Sequence, residues 1–210
     1  MPKKIVTPVY NQILVQPVHR GINDIGTWKS ALRAADMGLR SKLYDLYEDI
    51  LMDGTVTDAI GKRIEAITDC DINFTVNKKE VPRMTELIDT VEFENQLKEI
   101  MWTLFWGISV DEYSFVNGFD FNSIPRKHIR PKEKLILRRQ YDTDGISYSD
   151  DGMIIQWGED DDLGLLLKVA PYVIYKRGGF GDWAQFVELF GMPQRIGKYN
   201  SMDEQSRRLL

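Results

Sequence analysis

The chain has few of the residues from which metal centres and nucleophilic active sites are built. Its 210 residues include one cysteine, Cys70, and two histidines, His19 and His128. A single cysteine excludes an internal disulfide, fits a reducing compartment, and is predicted to be a small buried side chain. Neither an H-E-x-x-H nor a G-x-S-x-G motif occurs, so neither a metal cluster nor a catalytic triad is indicated. We therefore predict no catalytic residue, no metal and no cofactor.

Long apolar runs are also missing from the sequence. The longest apolar cluster, IMWTLFWGISV at residues 100–110, has about half of the roughly 20 residues needed to span a bilayer. The amino terminus, MPKKIVTPVYNQILVQP, has no continuous apolar core of a signal peptide and no small-residue cleavage site. We predict no membrane span and no export, so the chain is expected in the cytoplasm of the cell that makes it.

Positive charge is not in excess, but it is unevenly distributed along the chain. The formal net charge is −5 and the pI is about 5.2, which argues against a protein that coats nucleic acid. Residues 126–139, here called the basic strip, contain seven Lys and Arg residues. Residues 140–167 contain none, and they include eight Asp and Glu residues. Opposite charges are therefore concentrated in adjacent segments.

Two interpretations of the basic strip follow from this pattern. One is that it binds phosphate groups, which would make the chain a stand-alone nucleic-acid-binding module. The other is that its basic side chains pair with neighbouring acidic side chains or with another subunit. We favour the second, because RKHIRPKEK has no interleaved aromatic residues on which bases could stack.

Two further stretches resemble ligand-binding loops but lack essential positions. DTDGISYSDDG, which begins at residue 142, has Ile146 and Ser147 where an EF-hand needs an oxygen ligand and a glycine. GGFGD, at residues 178–182, contains neither the G-K-[ST] nor the G-x-G-x-x-G pattern of phosphate loops. The first stretch is predicted to form hairpin turns, and neither is predicted to hold a ligand.

The first third of the chain is predicted to contain an arm followed by a helical hairpin. Residues 1–38 are predicted to be an extended amino-terminal arm that lies free or on a neighbouring molecule. Apolar residues at helical spacing predict a helix over residues 39–51. A second helix is predicted to begin at Thr55, which has Asp58 three residues later as in a capping box.

The middle of the chain is predicted to add a small sheet to these helices. DINFTV, at residues 71–76, alternates apolar and polar residues as a half-buried strand does. Helical faces over residues 84–105 are predicted to end at Gly107. Short strands and hairpin turns up to residue 157 predict an antiparallel meander, and the next helix is expected to kink or restart at Pro171. The predicted fold class is α+β, with helices packed on a small, mostly antiparallel sheet.

A short aromatic helix is predicted at DWAQFVELF, residues 182–190. Its large side chains Trp183, Phe186, Val187 and Phe190 recur at helical spacing on one face. Asp182 is the predicted cap, while Gly191 and Pro193 end the helix. This face is therefore predicted to be buried in the core of the domain.

The segment around this helix resembles the portal proteins of Mu-like tailed phages and prophages. In YKRGGFGDWAQFVELFGMPQRIGKY the matching positions are Lys176, Arg177, Gly178, Asp182, Trp183, Ala184, Phe186, Glu188, Phe190, Gly191, Pro193, Arg195, Gly197, Lys198 and Tyr199. Upstream, Ala59-Ile60 and Lys62-Arg63 are similar to the helix pair of the family. FWGISVDEYSF is similar to its Gly-x-Ser-x-x-Glu strand through Gly107, Ser109 and Glu112. The resemblance covers residues 39–199.

This resemblance implies a structural protein rather than an enzyme. Portal subunits form a ring of about twelve copies with closed rotational symmetry at one capsid vertex. Double-stranded DNA is packaged and ejected through the ring, to which the tail connector attaches. Family members are longer, so the resemblance implies the amino-terminal part of a portal, truncated after Leu210. The expected organisation is an arm at 1–38, a portal-like core of the wing and clip region at 39–199, and the start of another helix at 200–210.

The resemblance also implies partners and surfaces. The expected partners are further copies of the chain, the packaging terminase, the head-tail connector, capsid proteins and the DNA in the channel, with no membrane. The expected location is the virion, and the host cytoplasm during assembly. The residues predicted to face a neighbouring subunit or DNA are Arg126, Lys127, Arg130, Arg138, Arg139, Arg195 and Lys198.

Overall fold

The computed structural model describes residues 8–16, 24–115, 119–149 and 151–191, and the chain divides into two units, Met1–Ile174 and Tyr175–Leu210. The described α-helices are α1 (Ile25–Asp36), α2 (Ser41–Ile50), α3 (Gly54–Thr68), α4 (Pro82–Ile88), α5 (Val91–Trp106) and α6 (Leu166–Phe190). The described strands are β1 (Thr75–Val76), β2 (Lys79–Glu80), β3 (Ser109–Ser114), β4 (Asp120–Ser123), β5 (Ile129–Arg130), β6 (Leu135–Leu137), β7 (Gly145–Ser147) and β8 (Ile154–Trp157). Short 3₁₀ helices lie at Tyr10–Gln12 and Arg126–His128. The fold class is α+β, as predicted.

Helix α1 lies in the stretch for which the sequence predicts an extended arm, and that prediction is wrong over these residues. The Asp24 Oδ1 atom caps the helix by accepting hydrogen bonds from Thr27 N at 2.6 Å and Thr27 Oγ1 at 2.9 Å. Ala31 and Ala35 are buried on one face of the helix. The sequence signal was weak because alanine favours helix but contributes little apolar surface to a periodic pattern.

Helices α2 and α3 lie where the sequence predicts two helices, but they do not pack as the expected hairpin, because α2 contacts mainly α1 and α3 contacts mainly α5. The buried side chains of α2 are Leu43, Tyr44, Leu46, Tyr47 and Ile50. The cap of α3 differs from the prediction, because Asp53 rather than Thr55 provides it. The Asp53 Oδ1 atom accepts hydrogen bonds from Thr55 N at 3.1 Å and Val56 N at 3.4 Å.

The predicted strand at residues 71–76 is reduced to a two-residue hairpin arm. Strand β1 pairs with β2 across a turn in which Asn77 and Lys78 have φ values of 51° and 63°. Phe74 and Val76 are exposed, so this segment is not the half-buried strand that its alternation indicates. A two-stranded hairpin has too few partners to bury one face.

Helix α5 ends at Gly107, as the sequence predicts. Gly107 has a φ of +88°, and its N–H donates to the Thr103 carbonyl oxygen at 2.7 Å. A Cβ atom at this position would lie 2.4 Å from the Asp162 carbonyl oxygen and 2.7 Å from Gly164 N. The glycine therefore both ends the helix and permits the segment around residues 162–164 to pack against it.

Two small antiparallel sheets replace the single predicted meander. In one, β3 is the central strand and pairs with β4 and with the distant β8. In the other, β6 lies between β5 and β7. Alternate residues of β3 point to opposite faces, and the face with Ser109, Asp111 and Tyr113 lies towards α5. This face of the sheet carries the polar cluster described below.

An aromatic cluster lies in the core of the first unit. The rings of Tyr44, Tyr47 and Trp106 are separated by 5.7–6.1 Å between centroids, at edge-on or tilted angles. The Tyr47 hydroxyl also donates to the Leu163 carbonyl oxygen at 2.5 Å. Helix α2 is thereby joined both to α5 and to the segment before α6.

Helix α6 continues through Pro171 to Phe190, so the helix does not restart at Pro171, and the prediction of a separate helix capped by Asp182 is wrong. Pro171 lies in the second turn of the helix, and the loss of one N–H there does not end it. Within the described part of the chain, no helix is long and apolar enough to cross a membrane.

Candidate interaction surfaces

Most cations of the basic strip pair with carboxylates of the same chain. Lys127 Nζ lies 2.6 Å from Asp45 Oδ1 and 2.9 Å from Glu48 Oε2, and its side chain is only 10% exposed. These two contacts outweigh the effect of burial and raise the pKa of Lys127, although desolvation alone would lower it. The ion pairs fasten the strip to α2 rather than present Lys127 to solvent.

The strip also pairs with the acidic segment that follows it in sequence. Lys134 Nζ lies 2.5 Å from Asp160 Oδ1, and the hydrogen bond from Gln156 together with this contact lowers the pKa of Asp160. Lys132 Nζ lies 2.9 Å from Asp161 Oδ1. The interpretation that the basic and acidic segments pair with each other is confirmed at these positions.

Arg130 is held mainly by a backbone atom. Its guanidinium donates to the Asp142 carbonyl oxygen at 2.8 Å and to Glu133 Oε2 at 3.3 Å. His128 is fully buried, and its Nδ1–H donates to the Leu137 carbonyl oxygen at 3.0 Å. Burial lowers the pKa of His128. His128 therefore joins the short helix before β5 to β6, and Arg130 joins β5 to the loop between β6 and β7.

Arg138 and Arg139 are exposed, as is Lys132, which pairs with Asp161. In the described segments, neither the Arg138 nor the Arg139 side chain forms an ion pair with an acidic residue. The Arg138 carbonyl oxygen accepts a hydrogen bond from Leu14 N at 2.9 Å, so it is the side chain of Arg138 that could contact another molecule. Of the residues predicted to face a subunit or DNA, these two are therefore the most accessible among those described, while Arg195 and Lys198 lie outside the described residues.

Arg126 is the centre of a polar cluster between α5 and the β4-β3-β8 sheet. It forms an ion pair with Glu99, and its Nε–H donates to the Ile108 carbonyl oxygen at 3.0 Å. The guanidinium lies 5.1 Å from the ring centroid of Trp106. Ser109 Oγ and Ser123 Oγ donate to Glu99 Oε1 at 3.2 and 3.1 Å. No local sequence pattern indicates this pairing, because Glu99 and Arg126 lie on elements far apart along the chain.

Asp111 belongs to the same cluster and is completely buried. Its Oδ2 atom accepts a hydrogen bond from Trp157 Nε1 at 3.0 Å, while its buried Oδ1 atom has no partner among the described residues. Desolvation, and then the nearby Glu99 carboxylate, raise the pKa of Asp111 to about 6. No sequence pattern singles out Asp111, since an aspartate in a strand gives no sign of its burial.

Glu112 fixes part of the amino-terminal arm. Its two carboxylate oxygens accept hydrogen bonds from Val9 N at 2.8 Å and Tyr10 N at 2.9 Å. Val9 is buried, and Leu14 N bonds to the strip as described above. Residues 8–16 are therefore bound to the folded part of their own chain. The expectation that this part of the arm lies free or on a neighbouring molecule is wrong.

The predicted core face of the aromatic helix is exposed in the described chain. The exposed fractions are 64% for Trp183, 59% for Phe186, 44% for Val187 and 69% for Phe190. Tyr175 and Phe180 lie on the same side and are 67% and 59% exposed. The four side chains that were predicted to close the core of the domain are therefore exposed among the described residues. We call the face formed by Tyr175, Phe180, Trp183, Phe186, Val187 and Phe190 the aromatic face.

An open cleft of about 460 Å³ lies between α3, α4 and α5, and Cys70, Asp71, Asp89, Glu94 and Phe93 help to line it. Cys70 is exposed there rather than buried as predicted, because it follows the end of α3 instead of lying on its apolar side. In the described part of the chain, no group of three or more His, Cys, Asp or Glu residues is arranged to hold a metal ion.

Comparison with known proteins connects this architecture with one family. A family model described as the portal protein of Mu bacteriophage matches residues 44–210 of the chain. The match begins within α2 and includes the Arg126 cluster, Asp111, Glu112 and the aromatic face. A search of the curated proteins gives no match.

Proposed function

Because the chain belongs to the family of Mu bacteriophage portal proteins, we propose that it is a structural subunit of the ring at the capsid vertex through which double-stranded DNA is packaged and ejected. The tail connector attaches to the same ring. The family is structural, so the chain is expected to work by assembly rather than by catalysis. The observation that carries the proposal is the family match over residues 44–210, most of the chain.

The aromatic face supports an assembly function, because it offers a large apolar surface for a neighbouring subunit. Five aromatic side chains of this face, at 59–69% exposure, leave roughly 600 Å² of accessible surface in total. One partner in a standard protein interface contributes about 800 Å². Large exposed apolar patches are uncommon on monomers and mark contact sites. The aromatic face is therefore the strongest candidate among the described residues for a contact between subunits.

The sequence of α6 gives a second reason for a covering partner. Gly178, Gly179 and Gly181 lie within this helix, and each interior glycine disfavours helix by about 1 kcal/mol relative to alanine. Few helices with three such residues and an exposed apolar face are stable alone, since packing supplies most helix stability in proteins. A neighbouring subunit at the aromatic face would provide that packing.

Charge placed on the aromatic face should therefore prevent assembly. We expect the double substitution Trp183→Glu and Phe186→Glu, in protein made from the complete coding sequence, to lower the assembled fraction more than about tenfold, because central aromatic residues dominate interface energies. Light scattering after size-exclusion chromatography measures the mass of the assembly. The matched control is Ala184→Glu with Gln185→Glu, which adds the same charge to the same turn outside the face. Equal effects of the two pairs would contradict the assignment of the contact to this face.

The main alternative is a stand-alone nucleic-acid-binding module built on the basic strip. The contacts of the strip argue against it, because Arg126, Lys127, Arg130, Lys132 and Lys134 already pair with acidic or backbone oxygens. Arg138 and Arg139 are left to contact phosphate. A portal channel through which DNA slides also has no need to grip it tightly.

Salt dependence distinguishes these two functions. We expect weak binding of free double-stranded DNA, with a logarithmic salt slope no steeper than about −2, because Arg138 and Arg139 are the two cations of the basic strip that are exposed and form no ion pair among the described residues. Fluorescence anisotropy with a labelled duplex at several salt concentrations measures the slope. Replacing Arg138 and Arg139 with glutamine should remove this residual binding, while Lys62→Gln, an exposed change elsewhere, should not. A slope near −6 would instead favour the nucleic-acid-binding module.

As a portal subunit, the chain is proposed to contact further copies of itself, the packaging terminase, the head-tail connector and capsid proteins. Arg195 and Lys198 are proposed to face a neighbouring subunit or the DNA channel. The proposed location is the virion, after assembly in the host cytoplasm. The portal-like core of the wing and clip region is proposed to extend over residues 39–199.

A further inference from the structure

The interface between α5 and the β4-β3-β8 sheet is polar, although such layers are usually joined by apolar side chains. From the helix, Gln96 and Glu99 contact Tyr113, Ser109 and Ser123 of the sheet. Ser109, Asp111 and Tyr113 are buried. An interface of this kind is stable only if its charges are balanced and its polar atoms are paired.

The charges of this cluster do not balance when every group is ionised. Arg126 is the one cation that approaches Asp111 from any packed element among the described residues, whereas Glu99 and Asp111 supply two carboxyl groups. Arg126 is directed to Glu99 through an ion pair, so Asp111 is the uncompensated group. The other groups that face Asp111 are the neutral side chains of Tyr113 on β3, Ser123 on β4 and Trp157 on β8.

The hydrogen bonds of the cluster also identify Asp111 as the group that lacks a partner. Trp157 Nε1 donates to Asp111 Oδ2, but the buried Oδ1 atom receives no hydrogen bond from any described residue. Ser123 donates to Glu99 at 3.1 Å, and one hydroxyl hydrogen cannot serve two carboxylates. A buried, unpaired carboxylate oxygen is costly, and protonation removes its charge and converts it into a donor.

We infer that Asp111 is a proton-linked element of the fold, which binds α5 to the β4-β3-β8 sheet most tightly when its Oδ1 atom carries a proton. Protonation leaves the cluster with one cation and one anion, and ionisation adds a second buried anion beside Glu99. Folding therefore takes up a proton from solution at mildly acidic pH. The contact between this helix and this sheet weakens as the pH rises to neutrality.

The direction of the pH effect follows from the pKa of Asp111, which is raised from 3.8 to about 6 in the folded chain. Between these values the folded state holds a proton that the unfolded state releases, so stability falls as the pH rises through this window. The folding equilibrium constant should be about tenfold smaller at about pH 7.5 than at about pH 5 through this group alone. Asp111→Asn should remove this tenfold difference, because asparagine remains neutral.

The test is denaturant unfolding of the protein, Asp111→Asn and Asp120→Asn at both pH values. Asp120 lies on the adjacent strand β4 and is exposed, so its substitution controls for the loss of a carboxylate. We expect the pH effect to be about tenfold smaller in Asp111→Asn than in either of the other two proteins. The same pH effect in all three proteins would overturn the inference.

A measurement on the unaltered protein covers the case in which Asp111→Asn fails to fold. Carbon-detected NMR follows the side-chain carboxyl of Asp111 directly as the pH is changed. We expect its resonance to titrate near pH 6, well above the ordinary range of aspartate. Titration near pH 4 would overturn the inference whatever the variant does.

Discussion

Replacing Gly107 with alanine is expected to destabilise the first unit by about 2 to 5 kcal/mol, the sum of a left-handed backbone penalty and overpacking. The residue has a φ of +88°, and a Cβ atom would lie 2.4 Å from the Asp162 carbonyl oxygen. Both obstructing groups, Asp162 O and Gly164 N, belong to the backbone, so no side-chain rotation relieves the contact. Leu165 N also bonds to the Leu104 carbonyl oxygen at 3.2 Å, which holds this segment close to the end of α5.

Gly61 provides the matched control for this substitution. It lies inside α3, and a Cβ atom there would meet no atom within 4 Å. Alanine at residue 61 should therefore stabilise the chain by up to about 1 kcal/mol through helix propensity. Denaturant midpoints of both variants measure the difference. A loss of less than about 1 kcal/mol at residue 107 would contradict the close packing described for the end of α5.

Replacing Arg126 with methionine is expected to cost about 3 kcal/mol, because it leaves a partly buried Glu99 carboxylate without its cation. The side chains of Arg126 and Glu99 are 18% and 19% exposed. The substitution also removes the contact of the guanidinium with the Trp106 ring, which lies 5.1 Å away. The cost should appear as a lower free energy of unfolding at neutral pH.

An exposed ion pair of the same chain provides the comparison. Lys62 Nζ lies 2.7 Å from Asp58 Oδ2, but the side chains are 71% and 61% exposed. Lys62→Met should therefore cost no more than about 0.5 kcal/mol. Adding Glu99→Gln to Arg126→Met should recover part of the loss, since the unpaired charge is removed. If Arg126→Met cost no more than Lys62→Met, the polar cluster would not hold α5 to the sheet.

Local signals predicted much of the fold. The apolar spacing of α2 and the glycine at the end of α5 are both encoded within a few residues, and both are confirmed. Helix α1 was missed because its buried face consists largely of alanine. Strand β1 is shorter and more exposed than predicted, because alternation in sequence does not reveal whether a second layer covers the strand.

Fewer contacts of the interaction surfaces could be predicted from the sequence. Neighbouring opposite charges indicated that the basic strip pairs within the chain, and this holds for Lys132 and Lys134. The ion pair of Arg126 with Glu99 depends on a tertiary contact that no local pattern encodes. The spacing of the aromatic residues at 183–190 indicates a helix, which is confirmed, and in a helix that spacing puts them on one face. It could not say whether that face is covered by the same chain or by another molecule, because both require the same apolar residues.

Electron microscopy of the protein made from its complete coding sequence tests the central claim most directly. We expect closed rings of about twelve subunits with rotational symmetry, in which the aromatic face of α6 lies against another polypeptide segment. A sample that remains monomeric at all concentrations would contradict the proposal of a portal subunit. Rings in which Trp183 and Phe186 stay exposed to solvent would agree with the proposal of a portal subunit. They would contradict the subunit contact proposed for the aromatic face.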